Sequence, residues 1–192
     1  MKNIKIHILM VLFSILIVAC NYKENNTNRA QNEITEKSEL PEKSSDINSP
    51  CELFTMDDVK SIFTVTDLPI EIKDVVYTYP TCIYKWEDGK VNWTKSIAGQ
   101  EIKGNTPSEV LIVMIKKANE AMFKQSTSIY KQPQVISNLG SKAVWDSRIS
   151  QLTFLSNTYM FHVHVKASNI DNENKEKAIK VSKLIIEKLR GF

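Results

Sequence analysis

The sequence contains few of the residues from which recognisable active sites are built. It has three cysteines, three histidines and five glycines in 192 residues. No serine lies in a G-x-S-x-G context, the turn that exposes the nucleophile of many hydrolases, and no glycines form a phosphate-binding pattern. The adjacent acid pairs Asp57-Asp58 and Glu87-Asp88 do not indicate two carboxyl groups converging across a cleft, as acid–base catalysis requires. The sequence therefore predicts a protein that is not an enzyme and needs no cofactor.

Long apolar runs are equally scarce, and the one that exists is at the N-terminus. Residues 6–19 are almost wholly apolar and follow Lys2 and Lys5. As a helix, about fourteen residues span roughly 21 Å, less than the roughly 30 Å hydrocarbon core of a bilayer. Residues 1–19 are therefore predicted to be a secretory signal peptide, not a transmembrane anchor.

The end of this signal indicates lipid attachment. Its last residues, Ile17 to Cys20, resemble a bacterial lipobox, which implies cleavage before Cys20 and acylation of that cysteine. A signal cut nearby without lipid is the alternative. Several acyl chains would hold the protein on a membrane far more firmly than a single chain. Asn21 in place of an aspartate resembles an outer-membrane address, so the expected location is the cell envelope, at the periplasmic side or the surface of the outer membrane.

An excess of charge of one sign is also absent. When Lys2 and Lys5 are removed with the signal from the 25 basic residues, 23 remain against 22 acidic residues. A protein that binds nucleic acid through phosphate contacts usually carries a clear basic excess. The sequence therefore does not favour nucleic acid as a partner.

The stretch after the signal is polar and lacks any amphipathic period. Residues 20–50 comprise the lipidated cysteine and a segment with isolated apolar residues such as Ile47. Such a segment cannot bury enough apolar surface to offset the entropy of ordering it. It is predicted to be a disordered tether, which leaves residues 51–192 as a single domain.

Two cysteines remain for this domain, Cys51 and Cys82. In an oxidising compartment two cysteines in a small domain most often form a disulfide, and a zinc site would need more ligands. The sequence therefore predicts a Cys51–Cys82 bond.

The first half of the domain mixes one helix with several strands. Thr55 and Asp58 are typical of a helix start, with Phe54 and Val59 spaced as a hydrophobic staple. The other predictions are a strand at 70–77, a strand through 82–86, a hairpin turn at Asp88-Gly89, an exposed loop at 94–107 and a central strand at 110–115.

The second half of the domain is also predicted to contain both helices and strands. The predictions are a helix at 116–125 with Ala118, Ala121 and Met122 inward, a hairpin of 151–155 with 159–166, and a long C-terminal helix capped by Asp171. Antiparallel strands with helices at both ends indicate an α+β fold, with one meandering sheet packed by helices.

Two segments resemble small bacterial envelope lipoproteins of unknown function. The first contains Cys51-Glu52-Leu53-Phe54-Thr55 and, about thirty residues later, Cys82-Ile83-Tyr84-Lys85-Trp86. The second is Leu139-Gly140-Ser141-Lys142-Ala143-Val144-Trp145, although Ser141 stands where an acidic residue is frequent. The resemblance implies a PsbP-like sandwich, an antiparallel sheet between helices, and it supports the disulfide. It implies no catalytic residues.

Two histidines form a candidate metal site. His162 and His164 alternate on a strand, so both rings are expected on one face, about 6–7 Å apart. They could bind zinc or copper if a third ligand converges on them. The alternative interpretation is an ordinary polar strand face.

Aromatic residues are concentrated in one part of the chain, and most are expected in the core. Trp93, with Tyr84 and Trp86, could instead form a binding surface, because tryptophan and tyrosine are enriched at interfaces. The sequence as a whole favours a non-enzymatic binding module on a lipid anchor, with a protein or an envelope polymer as its partner. The alternatives are a metal-binding envelope protein using His162 and His164, and a small hydrolase with an unrecognised site.

Overall fold

A computed structural model describes residues 46–65 and 67–192. The predicted signal peptide, Cys20 and most of the predicted tether lie outside these residues. The described chain forms a seven-stranded antiparallel sheet with three α-helices, which confirms the α+β class. The helices are α1 (Met56–Phe63), α2 (Glu120–Thr127) and α3 (Asp171–Leu189). The strands are β1 (Glu71–Val76), β2 (Pro80–Ile97), β3 (Gln100–Lys116), β4 (Pro133–Val135), β5 (Lys142–Asp146), β6 (Gln151–Ser156) and β7 (Tyr159–Lys166).

The sheet consists of two meanders that meet in its middle. The strand order is β1-β2-β3-β7-β6-β5-β4, and every neighbouring pair is antiparallel. The connection from β3 to β4 contains α2 and takes the chain from the centre of the sheet to its far edge. The predicted meander is therefore correct within each half, but the β3–β7 pair joins strands that are distant in sequence.

The main core lies between one face of the sheet and the helices α1 and α3. The predicted alternation of β7 is confirmed, because Phe161, Val163 and Val165 are buried on this face. Helix α3 buries a stripe of residues at helical spacing, namely Ala178, Val181, Ile185 and Leu189. Asp171 is the first residue of α3 and does not cap it, since Ile170 occupies the cap position without a side-chain hydrogen bond.

The opposite face of the sheet carries α2 and a smaller apolar cluster. Phe123 of α2 packs there with Ile115, Leu155 and Met160. The predicted start of this helix at residue 116 is wrong: the side chain of Asn119 accepts a hydrogen bond from the backbone N–H of Met122 at 3.0 Å, and so caps a helix that begins at Glu120. Ala118 is buried before the helix, whereas Ala121 is exposed.

The start of α1 is as the sequence predicts. The carboxylate of Asp58 accepts hydrogen bonds from the backbone N–H and the hydroxyl of Thr55, at 2.7 and 2.8 Å. Phe54 and Val59 are both fully buried, as a hydrophobic staple requires. Within the described residues, neither α1 nor the other two helices is long and apolar enough to cross a membrane.

The disulfide and the residues before it anchor the N-terminal end of the domain to the sheet. Cys51 and Cys82 are bonded, which ties a 3-10 turn at Pro50–Glu52 to β2. The predicted domain start at Cys51 lies inside the folded part, because Ile47 is only 2% exposed. The hydroxyl of Ser49 donates a hydrogen bond to Asp74 of β1 at 2.7 Å.

The predicted turn at Asp88-Gly89 and the predicted loop at 94–107 are both wrong, because β2 and β3 form one long hairpin. Its turn lies at Ala98-Gly99, where both residues have positive φ angles (51° and 80°). Residues 87–90 instead form an irregular bulge opposite Pro107, which has no N–H to donate to a ladder.

Asp88 explains why the chain bulges here and does not turn. Its carboxylate accepts hydrogen bonds from the Trp86 indole at 2.8 Å, the Ser108 hydroxyl at 2.7 Å and the backbone N–H of Lys90 at 3.2 Å. Burial acts to raise the pKa of Asp88, but these hydrogen bonds outweigh it and hold the pKa below its ordinary value. The carboxylate therefore stabilises the bulge from inside.

Beyond the bulge, residues 91–106 form a two-stranded arm. In this arm β2 and β3 pair with each other, whereas β1 and β7 pair with the parts of the hairpin before and after it. The arm exposes two large apolar side chains near its tip, Ile97 (57%) and Ile102 (44%).

Candidate functional site

A concave site lies between the C-terminal half of α3 and the loop that joins β4 to β5. We call it the helix–loop pocket. It is lined by Asn138, Leu139, Gly140 and Ser141 of the loop, Ser156 and Asn157 of the β6–β7 turn, and Lys183, Ile186, Glu187 and Arg190 of α3. Its volume is about 700 Å³, which falls within the range of small-molecule sites.

The Leu139-Gly140-Ser141 segment forms the loop wall of this pocket. Leu139 is buried in the core, and Gly140 has φ +60°. A Cβ atom on Gly140 would lie 2.2 Å from the backbone oxygen of Leu155, so only glycine allows the loop to approach β6 so closely. Ser141 completes the attachment, because its backbone N–H and its hydroxyl both donate to that oxygen, at 2.8 and 3.1 Å. These contacts with the Leu155 oxygen therefore fix the position of the loop wall against β6.

The helix wall contributes three charged side chains. Lys183, Glu187 and Arg190 lie at helical spacing on one side of α3, with the half-buried Ile186 among them. Within the described residues, none of these three charges makes an ion pair or a side-chain hydrogen bond. All three side chains are exposed, so their charges are available to a ligand in the pocket.

Two of the predicted surface aromatics belong to the core. Tyr84 is 1% exposed and Trp86 is 2% exposed, because alternate residues of β2 point into the main core. The Tyr84 hydroxyl donates to the backbone oxygen of Phe54, and burial raises the pKa of Tyr84 to about 12. Tyr84 and Trp86 therefore do not form a binding surface with Trp93.

Trp93 lies on the arm, where the arm itself covers much of its indole. A Cβ atom on Gly104 would lie 2.5 Å from the Trp93 ring, so the ring packs across the glycine of the facing strand. The Lys95 ammonium lies 5.1 Å from the ring centroid, and the indole N–H donates to the backbone oxygen of Asn105 at 3.3 Å. These contacts give Trp93 a structural role in stabilising the arm.

His162 and His164 lie on the face of β7 opposite the main core, as predicted. The Nδ1 atom of His164 is 2.7 Å from the backbone oxygen of Ile149, and the Nδ1 atom of His162 is 2.6 Å from the Thr153 hydroxyl. The Nε2 atom of His164 lies 3.8 Å from Glu109. Among residues 46–65 and 67–192, however, no group of three or more His, Cys, Asp or Glu side chains could hold a metal ion.

A buried polar network surrounds His162. The Thr153 hydroxyl also contacts the Tyr130 hydroxyl at 2.5 Å, and the Gln151 amide donates to that hydroxyl at 2.6 Å. Burial lowers the pKa of His162 to about 4 and raises the pKa of Tyr130. Thr153 is completely buried, so this hydroxyl–imidazole pair does not present a nucleophile to a substrate. It gives no support to a hydrolase.

Sequence reasoning missed the helix–loop pocket although it singled out one of its walls. The Leu139-to-Trp145 segment carries the resemblance described above, whereas no sequence pattern singled out Lys183, Glu187 or Arg190 of α3. The turn between the antiparallel strands β6 and β7 also lines the pocket, through Ser156 and Asn157. The chain matches no protein-family model, no curated protein and no solved structure.

Proposed function

We propose that the protein is a lipid-anchored envelope protein whose domain binds a ligand without transforming it. The helix–loop pocket is the observation that carries this proposal, because it combines a fixed loop wall with Lys183, Glu187 and Arg190, whose charges have no partner in the described chain. A rigid wall favours binding, since little ordering entropy is lost when a ligand enters.

The sequence supports the location in this proposal. A signal that ends in a lipobox-like Ile17-to-Cys20 segment would attach the chain to a membrane through Cys20. The polar residues that follow would give the domain reach toward a protein or an envelope polymer. A near-neutral mature chain fits such partners better than nucleic acid.

We further propose that the domain is PsbP-like and related to the envelope lipoproteins that it resembles. The arrangement of α1 and α3 on one face of the sheet and α2 on the other supports this proposal.

The proposal is tested by crosslinking in cells. A photoreactive amino acid at Asn157, an exposed position that lines the pocket, should yield a crosslinked product in intact cells. The same group at Gln132, which is exposed and lies outside the pocket, is the matched control. Equal products from both positions, or none from Asn157, would refute binding in the pocket. In parallel, Cys20→Ser should release the protein from the membrane fraction.

A metal-binding function is the second candidate. It is favoured by the Nδ1 contacts of His162 and His164, because metal-bound imidazoles usually have their other nitrogen held in this way. If the candidate is correct, His162→Ala should lower the metal content of protein purified from the envelope. An unchanged metal content would exclude it.

A further inference from the structure

We infer that the helix–loop pocket takes a short peptide with two carboxylate groups about three residues apart and an amino group between them. This inference rests on the proposed function of the pocket and adds the chemical class of its ligand. It depends on the order of the charges, on the distance between them, and on the polar groups of the opposite wall.

The order of charges along α3 is positive, negative, positive. Glu187 lies four residues after Lys183 and three before Arg190, which places it between them on the same side of the helix. A ligand that complements all three charges must therefore carry negative, positive and negative groups in sequence. A simple anion would satisfy the two cations and leave the Glu187 carboxylate repelling it.

The distance between the two cations sets the length of the ligand. Lys183 and Arg190 are seven residues apart, which corresponds to roughly 10 Å along the helix axis at 1.5 Å per residue. An extended peptide rises about 3.3 Å per residue, so roughly three residues cover the same distance. Two carboxylates separated by three residues can therefore reach both cations at once.

The opposite wall suits a peptide backbone. Asn138 and Asn157 each present a primary amide, which has a carbonyl acceptor and two N–H donors and can pair with a peptide group. Neither side chain makes a hydrogen bond within the described residues. The half-buried Ile186 forms an apolar part of the lining, which favours a small side chain such as alanine.

The test uses acetyl-Glu-Ala-Lys-Ala with a free C-terminal carboxylate as the ligand and the full mature chain, refolded without lipid, as the protein. Binding is measured by calorimetry and by NMR shifts at low salt. The uncharged analogue acetyl-Gln-Ala-Gln-Ala-amide shows whether the charges matter. Lys183→Gln and Arg190→Gln should each weaken binding of the charged peptide by about tenfold. The matched control Lys180→Gln removes an exposed lysine of α3 that does not line the pocket, and it should leave the affinity unchanged.

The role of Glu187 has its own control. Glu187→Gln should weaken binding of the peptide that contains lysine and should not weaken binding of the same peptide with glutamine in place of lysine. The inference is overturned if the uncharged analogue binds as tightly as the charged peptide, or if Lys180→Gln weakens binding as much as Lys183→Gln. The crosslinking from Asn157 does not depend on the class of ligand. If crosslinking is observed but the peptide does not bind, this inference is overturned and the proposed function is not. Loss of both would overturn the pocket as a binding site.

Discussion

Removal of the Cys51–Cys82 disulfide should strongly destabilise the described domain. The two cysteines are 31 residues apart in sequence. In the chain-entropy model, a crosslink that closes a loop of this length destabilises the unfolded state by about 3.5–4 kcal/mol at room temperature. A domain of this size is typically stable by only about 5–15 kcal/mol, so this loss is a large fraction of the total.

The bond also holds a part of the domain that packs into the main core. It joins the 3-10 turn at Pro50–Glu52 to β2, and that turn precedes the buried Leu53 and Phe54. We therefore expect the loss to fall on the whole domain and not on a terminal segment that frays separately.

The assay is urea unfolding of the double variant Cys51→Ala/Cys82→Ala beside the oxidised wild type. A loss of about 3.5 kcal/mol should lower the urea midpoint by about 2 M at an ordinary m-value. Adding a reductant should lower the wild-type midpoint similarly and should not affect the double variant, which serves as the control. A loss below about 1 kcal/mol would refute the reasoning, because the crosslink would then not limit the unfolded chain as its loop length implies.

Three further predictions concern single residues. Gly140→Ala should lower the free energy of unfolding by about 2–3 kcal/mol in a urea titration, because an alanine at this positive φ is strained and its Cβ would meet the Leu155 oxygen. Gly99 also has a positive φ but has free space around it, so Gly99→Ala should cost less in the same titration. Lowering the pH from 7 toward 4 should reduce the free energy of unfolding by about 2–3 kcal/mol, because burial lowers the pKa of His162 in the folded protein to about 4 while the unfolded imidazole protonates near 6.5. This loss should be smaller in His162→Gln. Trp93→Ala should speed amide hydrogen exchange in residues 91–106 and change the global free energy of unfolding by less than about 1 kcal/mol. Equal protection of these amides in the variant and the wild type would contradict the structural role of Trp93.

The elements that sequence patterns predicted well are those whose signals are local. The Thr55 and Asp58 cap satisfies backbone groups within one turn of α1, and the alternation along β7 needs no information beyond the strand itself. The disulfide was also predicted, from the number of cysteines and the predicted secretion of the chain, and it is present.

The arm could not be predicted from the sequence, because Ala98-Gly99 is a weak turn signal and Asp88-Gly89 is a stronger one in the wrong place. Asp88-Gly89 has the residues of a tight hairpin turn, but the Asp88 carboxylate is used by the Trp86 and Ser108 side chains to hold a bulge. The real turn places Ala98 at a positive φ, a conformation that alanine seldom adopts.

The candidate site depended on long-range pairing that the sequence does not reveal. Residues 138–141 of the loop and the α3 charges are more than forty residues apart in sequence, and the order β3-β7-β6-β5 is what places α3 beside the loop. The expected binding role of Tyr84 and Trp86 was wrong for a related reason. Their period of two does not indicate which face of the strand is buried, and both face the core.

Binding of a ligand in the helix–loop pocket can be tested directly by NMR shift mapping of residues 21–192. On addition of soluble fragments of the envelope, we expect the shift changes to concentrate in residues 138–141, 156–157 and 183–190. Changes concentrated in the arm at residues 91–106, or beside His162 and His164, would contradict it.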